Sequence, residues 1–381
     1  MRARFQVADV LKKHWSQVEE QPHIRGWQLR TLAAIMRCRT ADMGGHVDAC
    51  SDCGLLRISY NSCRNRHCPS CQGRKREQWI KAREADLLHV PYLHVVFTLP
   101  AELNALALYQ PKAVYDTLFE AAWQTLLVFG KDEKHLGARP GMIAVLHTWG
   151  QTLSLHPHLH CIVPGGGLSK AGFWKKAKTQ GKFLFPVKAM SKVFRAIYVR
   201  QLKDRLPDVD RQLIHALFKK AWVVYAKRAF AGPESVIEYL GRYTHKIAIS
   251  NHRITNLDDE TISFSYKDYR KGGQQQVMTL QAMEFIRRFA MHVLPRGFVR
   301  IRHYGILSAT SKSQALPAIR QQLPQKPDRQ VQELRQLLEY NPLLCPCCGK
   351  ETMIMLQVLP KRGPPNGLRT WKEYGLSETG S

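Results

Sequence analysis

Nine of the ten cysteines of this 381-residue chain fall in two short segments, six from Cys38 to Cys71 and three from Cys345 to Cys348. An exported fold stapled by disulfides spreads its cysteines along the chain, whereas clustered thiols suit a reducing compartment and a bound metal. The clustering constrains the fold because a metal lets a segment with few apolar residues fold at all. Cys50-x-x-Cys53 and Cys68-x-x-Cys71, with 14 residues between them, have the form of two knuckles around one tetrahedral zinc ion. Cys63 and His67 lie between the pairs, and either can replace one cysteine or serve a second ion. Cys345-Pro346-Cys347-Cys348-Gly349-Lys350 resembles half of a zinc ribbon, but no cysteine follows to supply the other half.

Charge narrows the partner. Fifty-seven Lys and Arg face 30 Asp and Glu, a formal net charge of +27. Such a surplus repels itself unless it meets a polyanion, and nucleic acid is the commonest one. Positions 64–83 hold seven basic residues and one acidic, among them Arg64, Arg66, Arg74, Lys75 and Arg76, so the cysteine block is expected to dock on phosphates. Positions 285–304 hold five arginines and no acid, with Arg300 and Arg302 near Phe298 and Tyr304. Phosphate contact with base stacking is one reading of that stretch, and a core helix and strand with outward arginines is the other. No run of about 18 apolar residues occurs, which excludes an ordinary membrane span. The opening MRARFQVADVLKKHW does not read as a secretory signal. A cytoplasmic, nucleoid-associated protein is expected, with DNA as partner and no nucleotide cofactor, since no GxxxxGK[ST] loop is present.

Hydrophobic spacing suggests a helical region at 1–45, a loop-like zinc-binding module at 46–75, a catalytic domain at 76–310, and a linker and tail at 311–381. Strands are expected at 93–99, 142–147, 158–163, 222–230, 247–254, 261–266 and 276–280, the last three as a meander. Helices are expected at 74–88, 113–129 and 234–244, and a further amphipathic one carries Val331, Leu334 and Leu338. Strands in the middle of the chain do not alternate with helices, which favours an α+β domain with an antiparallel sheet.

Two motifs carry chemistry. In His156-Pro157-His158-Leu159-His160, strand alternation points His158 and His160 the same way and Leu159 into the core. Two imidazoles on one face of a strand can hold a divalent cation that keeps open positions for phosphate oxygens. In Tyr239-Leu240-Gly241-Arg242-Tyr243, helical spacing puts both phenols on one face. Beside a cation-bound phosphate a tyrosine can attack in line and conserve the bond energy in a phosphotyrosine. Arg242, His245 and Lys246 make that segment basic.

A cysteine block, a His-hydrophobic-His strand and a later Tyr-x-x-x-Tyr helix, in that order, resemble the two-tyrosine rolling-circle transposases of the HUH nuclease superfamily. The wording at NSCRNRHCPSCQ (61–72), HPHLHCIVPGGG (156–167), EYLGRYTHKIAISNHRI (238–254) and RIRHYGIL (300–307) matches as well, from about residue 10 to 350. The resemblance implies an HUH-type antiparallel nuclease core with flanking helices, an N-terminal zinc-binding module and a small C-terminal cysteine module. It implies His158 and His160 as ligands of Mg²⁺ or Mn²⁺, and Tyr239 and Tyr243 as nucleophiles that cut and rejoin single-stranded or hairpin element ends. A third ligand is usual in that superfamily, and Gln151 is the candidate because a carbonyl-type oxygen suits those ions. Two other readings fit parts of the pattern: a replication initiator or relaxase with the same nicking chemistry, and a zinc-dependent DNA-binding regulator without catalysis.

Overall fold

Strand alternation and helix periodicity in the middle of the chain build a layered α+β unit. The computed structural model describes residues 3–71, 86–178, 185–230, 236, 247–324 and 341–361. Two units divide the chain, one of residues 1–5 with 72–327 and the other of 6–71 with 328–381.

The larger unit is built on a five-stranded antiparallel sheet of order β12-β4-β5-β3-β8. Its strands are β3 (Tyr92–Thr98), β4 (Gly141–Trp149), β5 (Leu155–Pro164), β8 (Val224–Phe230) and β12 (Ile301–Gly305). Alternate residues send Leu93, Val95, Phe97, Met142, Ala144, Leu146, Leu159, Cys161 and Val163 to one face. There they meet Leu118, Phe119 and Ala122 of helix α5 (Pro111–Lys131) and Phe194 and Tyr198 of helix α6 (Val187–Arg205). Pro111 starts α5 where its missing N–H costs nothing. Helix α4 (Asn104–Tyr109) precedes α5, and helix α7 (Arg211–Lys219) follows α6, capped by the Asp210 carboxylate on the Gln212 amide. Ile143 and Ile162 point to the opposite face, where Leu316 and Ile319 of helix α9 (Lys312–Gln322) cover them together with Val236.

A hairpin of β6 (Gly166–Leu168) and β7 (Trp174–Lys176) follows β5. The expected meander is present as β9 (Ile254–Leu257), β10 (Thr261–Asp268) and β11 (Gln274–Gln281), though β9 begins where the expected 247–254 strand ends. Helix α8 (Ala282–Met291) packs Phe285 on Phe264 of β10. Phe285, Phe289 and Phe298 are all buried, so the phenylalanines of the stretch from 285 to 304 belong to the core.

In the smaller unit α1 (Val7–Lys13), α2 (Trp15–Glu19) and α3 (Gly26–Met36) form the helical start, with Val10, Leu11, Val18, Leu32 and Ile35 buried. The cysteine block is not a plain loop. It contains β1 (Gly45–Cys50) and β2 (Leu56–Tyr60), which pair antiparallel, and β13 (Met353–Leu359) adds to the other side of β1. The linear plan of separate N-terminal and C-terminal modules is thus corrected: ladder hydrogen bonds join the two ends of the chain in one sheet. The helices expected at 74–88 (nearly all of it), at 234–244 apart from Val236, and over Val331, Leu334 and Leu338 lie outside the described residues.

Candidate metal centres

On the central sheet, His158 and His160 share a face as alternation requires, while Leu159 and Cys161 are buried beneath α5 and α6. A third imidazole joins them. His147 on β4 sits directly opposite His158 in register, and the ligand nitrogens of His147, His158 and His160 all lie within 4.8 Å of one another. His147 is buried and stacks on Trp149 at 4.6 Å. The sequence held a signal for it, a histidine closing the expected strand at 142–147. Its use needed the β4–β5 register, which no local spacing reveals.

Hydrogen bonds orient the rings. His158 Nδ1 donates to the His156 carbonyl at 2.6 Å, which leaves its Nε2 lone pair facing His160 Nε2 3.1 Å away. His160 Nδ1 is engaged by His94 Nε2 at 3.0 Å, and the two rings stack. An outer partner that fixes the tautomer of a liganding ring is the usual support of a metal-binding histidine. The donor set therefore fits a divalent ion, with imidazole nitrogens turned toward one point. Burial lowers the basicity of the neighbouring His156.

Gln151, the expected third ligand, lies in the turn from β4 to β5. Three successive carbonyls of that turn are tied down from other elements: Gln151 by Arg253, Thr152 by Arg288 at 3.1 Å, and Leu153 by His292 at 3.1 Å. Leu153 adopts φ 60°, a left-handed conformation that a leucine holds only under such constraint. His292 is wholly enclosed, and burial lowers its pKa to about 4, so it is neutral near pH 7. Its Nε2–H donates to Leu153, which assigns its Nδ1 as acceptor from the Thr148 hydroxyl at 3.1 Å. The clamp on this turn is thus a property of the backbone around Gln151, while a histidine supplies the third converging ring.

The cysteines also group differently from the linear reading. Cys50 and Cys53 do not share a site with Cys68 and Cys71. Cys68 and Cys71 meet Cys38 and Cys63, whereas Cys50 and Cys53 meet Cys345 and Cys348. The reason is the hairpin: β1 and β2 run from one cluster to the other and back, so consecutive pairs face different neighbours. In the first cluster Cys71 Sγ lies 3.3 Å from Cys38 Sγ and 3.6 Å from Cys63 Sγ. Four sulfurs about 2.3 Å from a tetrahedral ion lie about 3.8 Å apart, far beyond the roughly 2.05 Å of a disulfide, so zinc fits and a bridge does not. The neighbouring Cys63 thiol is the main cause that lowers the Cys38 thiol to about 7, and the Cys63 amide, which donates to Cys38 Sγ at 3.4 Å, adds a smaller push the same way.

Of the basic residues expected on DNA, Arg64 is exposed at φ 52°, and Arg66 is half-buried with its Nε on His67 Nε2 at 3.2 Å. Arg300 is buried, and Arg302 pairs with Asp116 while lying 4.2 Å over the Phe119 ring. The Asp116 carboxylate and the Phe119 face thus both engage the guanidinium of Arg302. Arg74, Lys75, Arg76, Tyr239, Arg242, Tyr243 and Lys246 lie outside the described residues. Among the described residues, no helix is long and apolar enough to cross a membrane.

Two family models match the segments that carry these residues. Residues 141–314, which carry the three histidines, match the family model described as "Putative transposase", and residues 10–99, which carry the first cysteine cluster, match "Transposase zinc-binding domain". The "Putative transposase y4qJ" of Sinorhizobium fredii is 43% identical over 97% of this chain and 99% of its own length. The transposase for insertion sequence element IS801 of Pseudomonas savastanoi pv. phaseolicola is 28% identical over 88% of this chain and 85% of its own length. No solved structure matches. With similarity to one transposase over nearly its full length and two transposase family models matched, the chain belongs to the transposases that carry an N-terminal transposase zinc-binding domain.

Proposed function

We propose that this transposase cuts and rejoins single-stranded DNA at element ends through a tyrosine nucleophile, on an HUH-type sheet whose His147, His158 and His160 hold one divalent ion. The convergence of these three imidazoles, one buried and two half-buried, on one face of the sheet carries the reading. A divalent ion bound there supplies positive charge to the scissile phosphate and its developing oxyanion. A neutral set of nitrogen donors suits a transition-metal ion better than Mg²⁺, which favours Mn²⁺ of the two ions expected.

The chain's own groups do the rest. His94 and the His156 carbonyl hold the rings of His160 and His158 in the tautomers that present Nε2. The clamped turn after β4 keeps His147 in register with them. Tyr239 and Tyr243 are the proposed nucleophiles. The phenolic oxygen of one attacks phosphorus, the bond to the 3′ oxygen breaks, and the products are a 5′-phosphotyrosine and a free 3′-hydroxyl. Attack by a 3′-hydroxyl on that phosphotyrosine reverses the step and joins strands, with the phenol released. Val236, three residues before Tyr239 in the sequence, is buried with Ile143 and Ile162 on the histidine-bearing face.

The test is a denaturing gel for a protein–DNA adduct after incubation with single-stranded element ends and Mn²⁺. Wild type should form it; His158→Ala with His160→Ala should not, while keeping most DNA affinity, which comes from Lys and Arg. Tyr239→Phe with Tyr243→Phe should also form none. Normal adduct from either double variant, or DNA mapped to a peptide outside 239–243, overturns the reading.

A further inference from the structure

The C-terminal cysteines find their counterpart through β13. Met353 of β13 pairs with Cys50 of β1, and this register carries the turn at 345–349 to the turn at 50–54. Cys50 Sγ lies 3.7 Å from Cys348 Sγ, Cys53 Sγ lies 3.7 Å from Cys345 Sγ, and all four sulfurs fall within 4.8 Å of one another.

The two turns are built alike. Each reads Cys-x-x-Cys-Gly, and each glycine has φ 72°. The Gly54 amide donates to the Cys50 carbonyl at 3.0 Å, and the Gly349 amide to the Cys345 carbonyl at 2.9 Å. The Cys53 amide donates to Cys50 Sγ and the Cys347 amide to Cys345 Sγ, both at 3.4 Å. A left-handed residue closing the turn favours glycine in both places, and amide donors turned onto sulfur favour the thiolate form.

We propose that Cys50, Cys53, Cys345 and Cys348 hold a second structural zinc ion, so that the two ends of the chain form one discontinuous zinc ribbon. Sulfur spacings of 3.7 Å match the roughly 3.8 Å of a tetrahedral four-thiolate site. Four protein ligands leave no open position, which makes the site structural rather than catalytic. The excess negative charge of the thiolates is met by the two amides and by the Thr352 hydroxyl, 3.0 Å from Cys50 Sγ. Lys350 pairs with Asp52 across the two turns at 2.9 Å. Apart from the sulfurs, the buried cluster here is Met353 with Leu55 packed against it, too little apolar surface to hold the turns by itself. The link spans 292 residues between Cys53 and Cys345, and the entropy of closing so long a loop is what metal binding offsets. On this basis β13 stays paired with β1 only while the ion is bound.

The experiment is cadmium-113 NMR and metal counting on the full-length transposase. Wild type loaded with cadmium should give two separate resonances in the all-thiolate range; a single one overturns the proposal. Cys345→Ser with Cys348→Ser should lose one of the two and drop the zinc content from two ions per chain to one, with faster amide exchange along 353–359. Retention of both resonances by that variant also overturns it. If the variant fails to fold, the wild-type spectrum still decides. An ion on the histidine cluster resonates outside the thiolate range, so failure of the strand-transfer reading leaves this result untouched.

Discussion

The sheet that carries the histidines and the sheet that carries the cysteines are held by different forces. The five-stranded sheet buries one face under α5 and α6 and part of the other under α9, in two apolar layers with Phe97, Phe119, Phe194 and Tyr198 fully enclosed. The sheet of β13, β1 and β2 leaves Leu56, Ile58, Met355, Leu356 and Val358 exposed, and its enclosed cluster is Cys50, Cys345 and Met353. Hydrophobic burial suffices for the first. The second has little apolar cover, and its enclosed cluster is built on cysteines of a group able to hold a metal ion. One chain thus pairs a sheet enclosed by its own apolar layers with a module that has two four-cysteine clusters and little apolar cover around its sheet.

Removing zinc from the first cysteine cluster tests this contrast most severely. Cys68→Ser with Cys71→Ser should abolish slow amide exchange over residues 45–60 and weaken element-end binding. Structural zinc in small fingers contributes on the order of 10 kcal/mol. Exchange along β4 and β5 should be unchanged; if both regions lose protection together, the division into a burial-held and a metal-held part is wrong.

The converse substitution is Phe97→Ala, which deletes a fully buried ring packed 4.9 Å from Phe194. A cavity of that kind costs about 3–5 kcal/mol. Thermal unfolding of the larger unit should shift down accordingly, while zinc per chain, measured on the folded protein, stays at the wild-type value. A loss of zinc in this variant would mean that the two regions fold as one.

A smaller effect, confined to the histidine side, follows from His292. Its folded pKa is near 4 against 6.5 for an ordinary histidine. The folded state therefore binds fewer protons than the unfolded state between those values, so stability is complete above pH 6.5 and falls as pH drops toward 4. The total is on the order of 3 kcal/mol. Amide exchange in the turn at 150–154 should speed up across that window, and His292→Gln should flatten the dependence. An unchanged pH profile in the variant would remove His292 from the clamp.

What the sequence determined by itself is what short range dictates. Alternation put His158 and His160 on one face and Leu159 on the other, and α5 and β3 to β5 lie within a few residues of where periodicity placed them. Cys-x-x-Cys spacing marked the knuckles correctly, because a knuckle is a turn of a few residues. The family was legible for the same reason, since its motifs are local strings. Only the tertiary structure decided which knuckle meets which, that β13 pairs with β1, and that His147 stands opposite His158. Those choices join residues 11 to about 300 positions apart, and they are made by sheet register and loop closure rather than by any local pattern. Arg302 illustrates the same limit: its charge was visible in the sequence, but its pairing with Asp116, 186 residues away, was not.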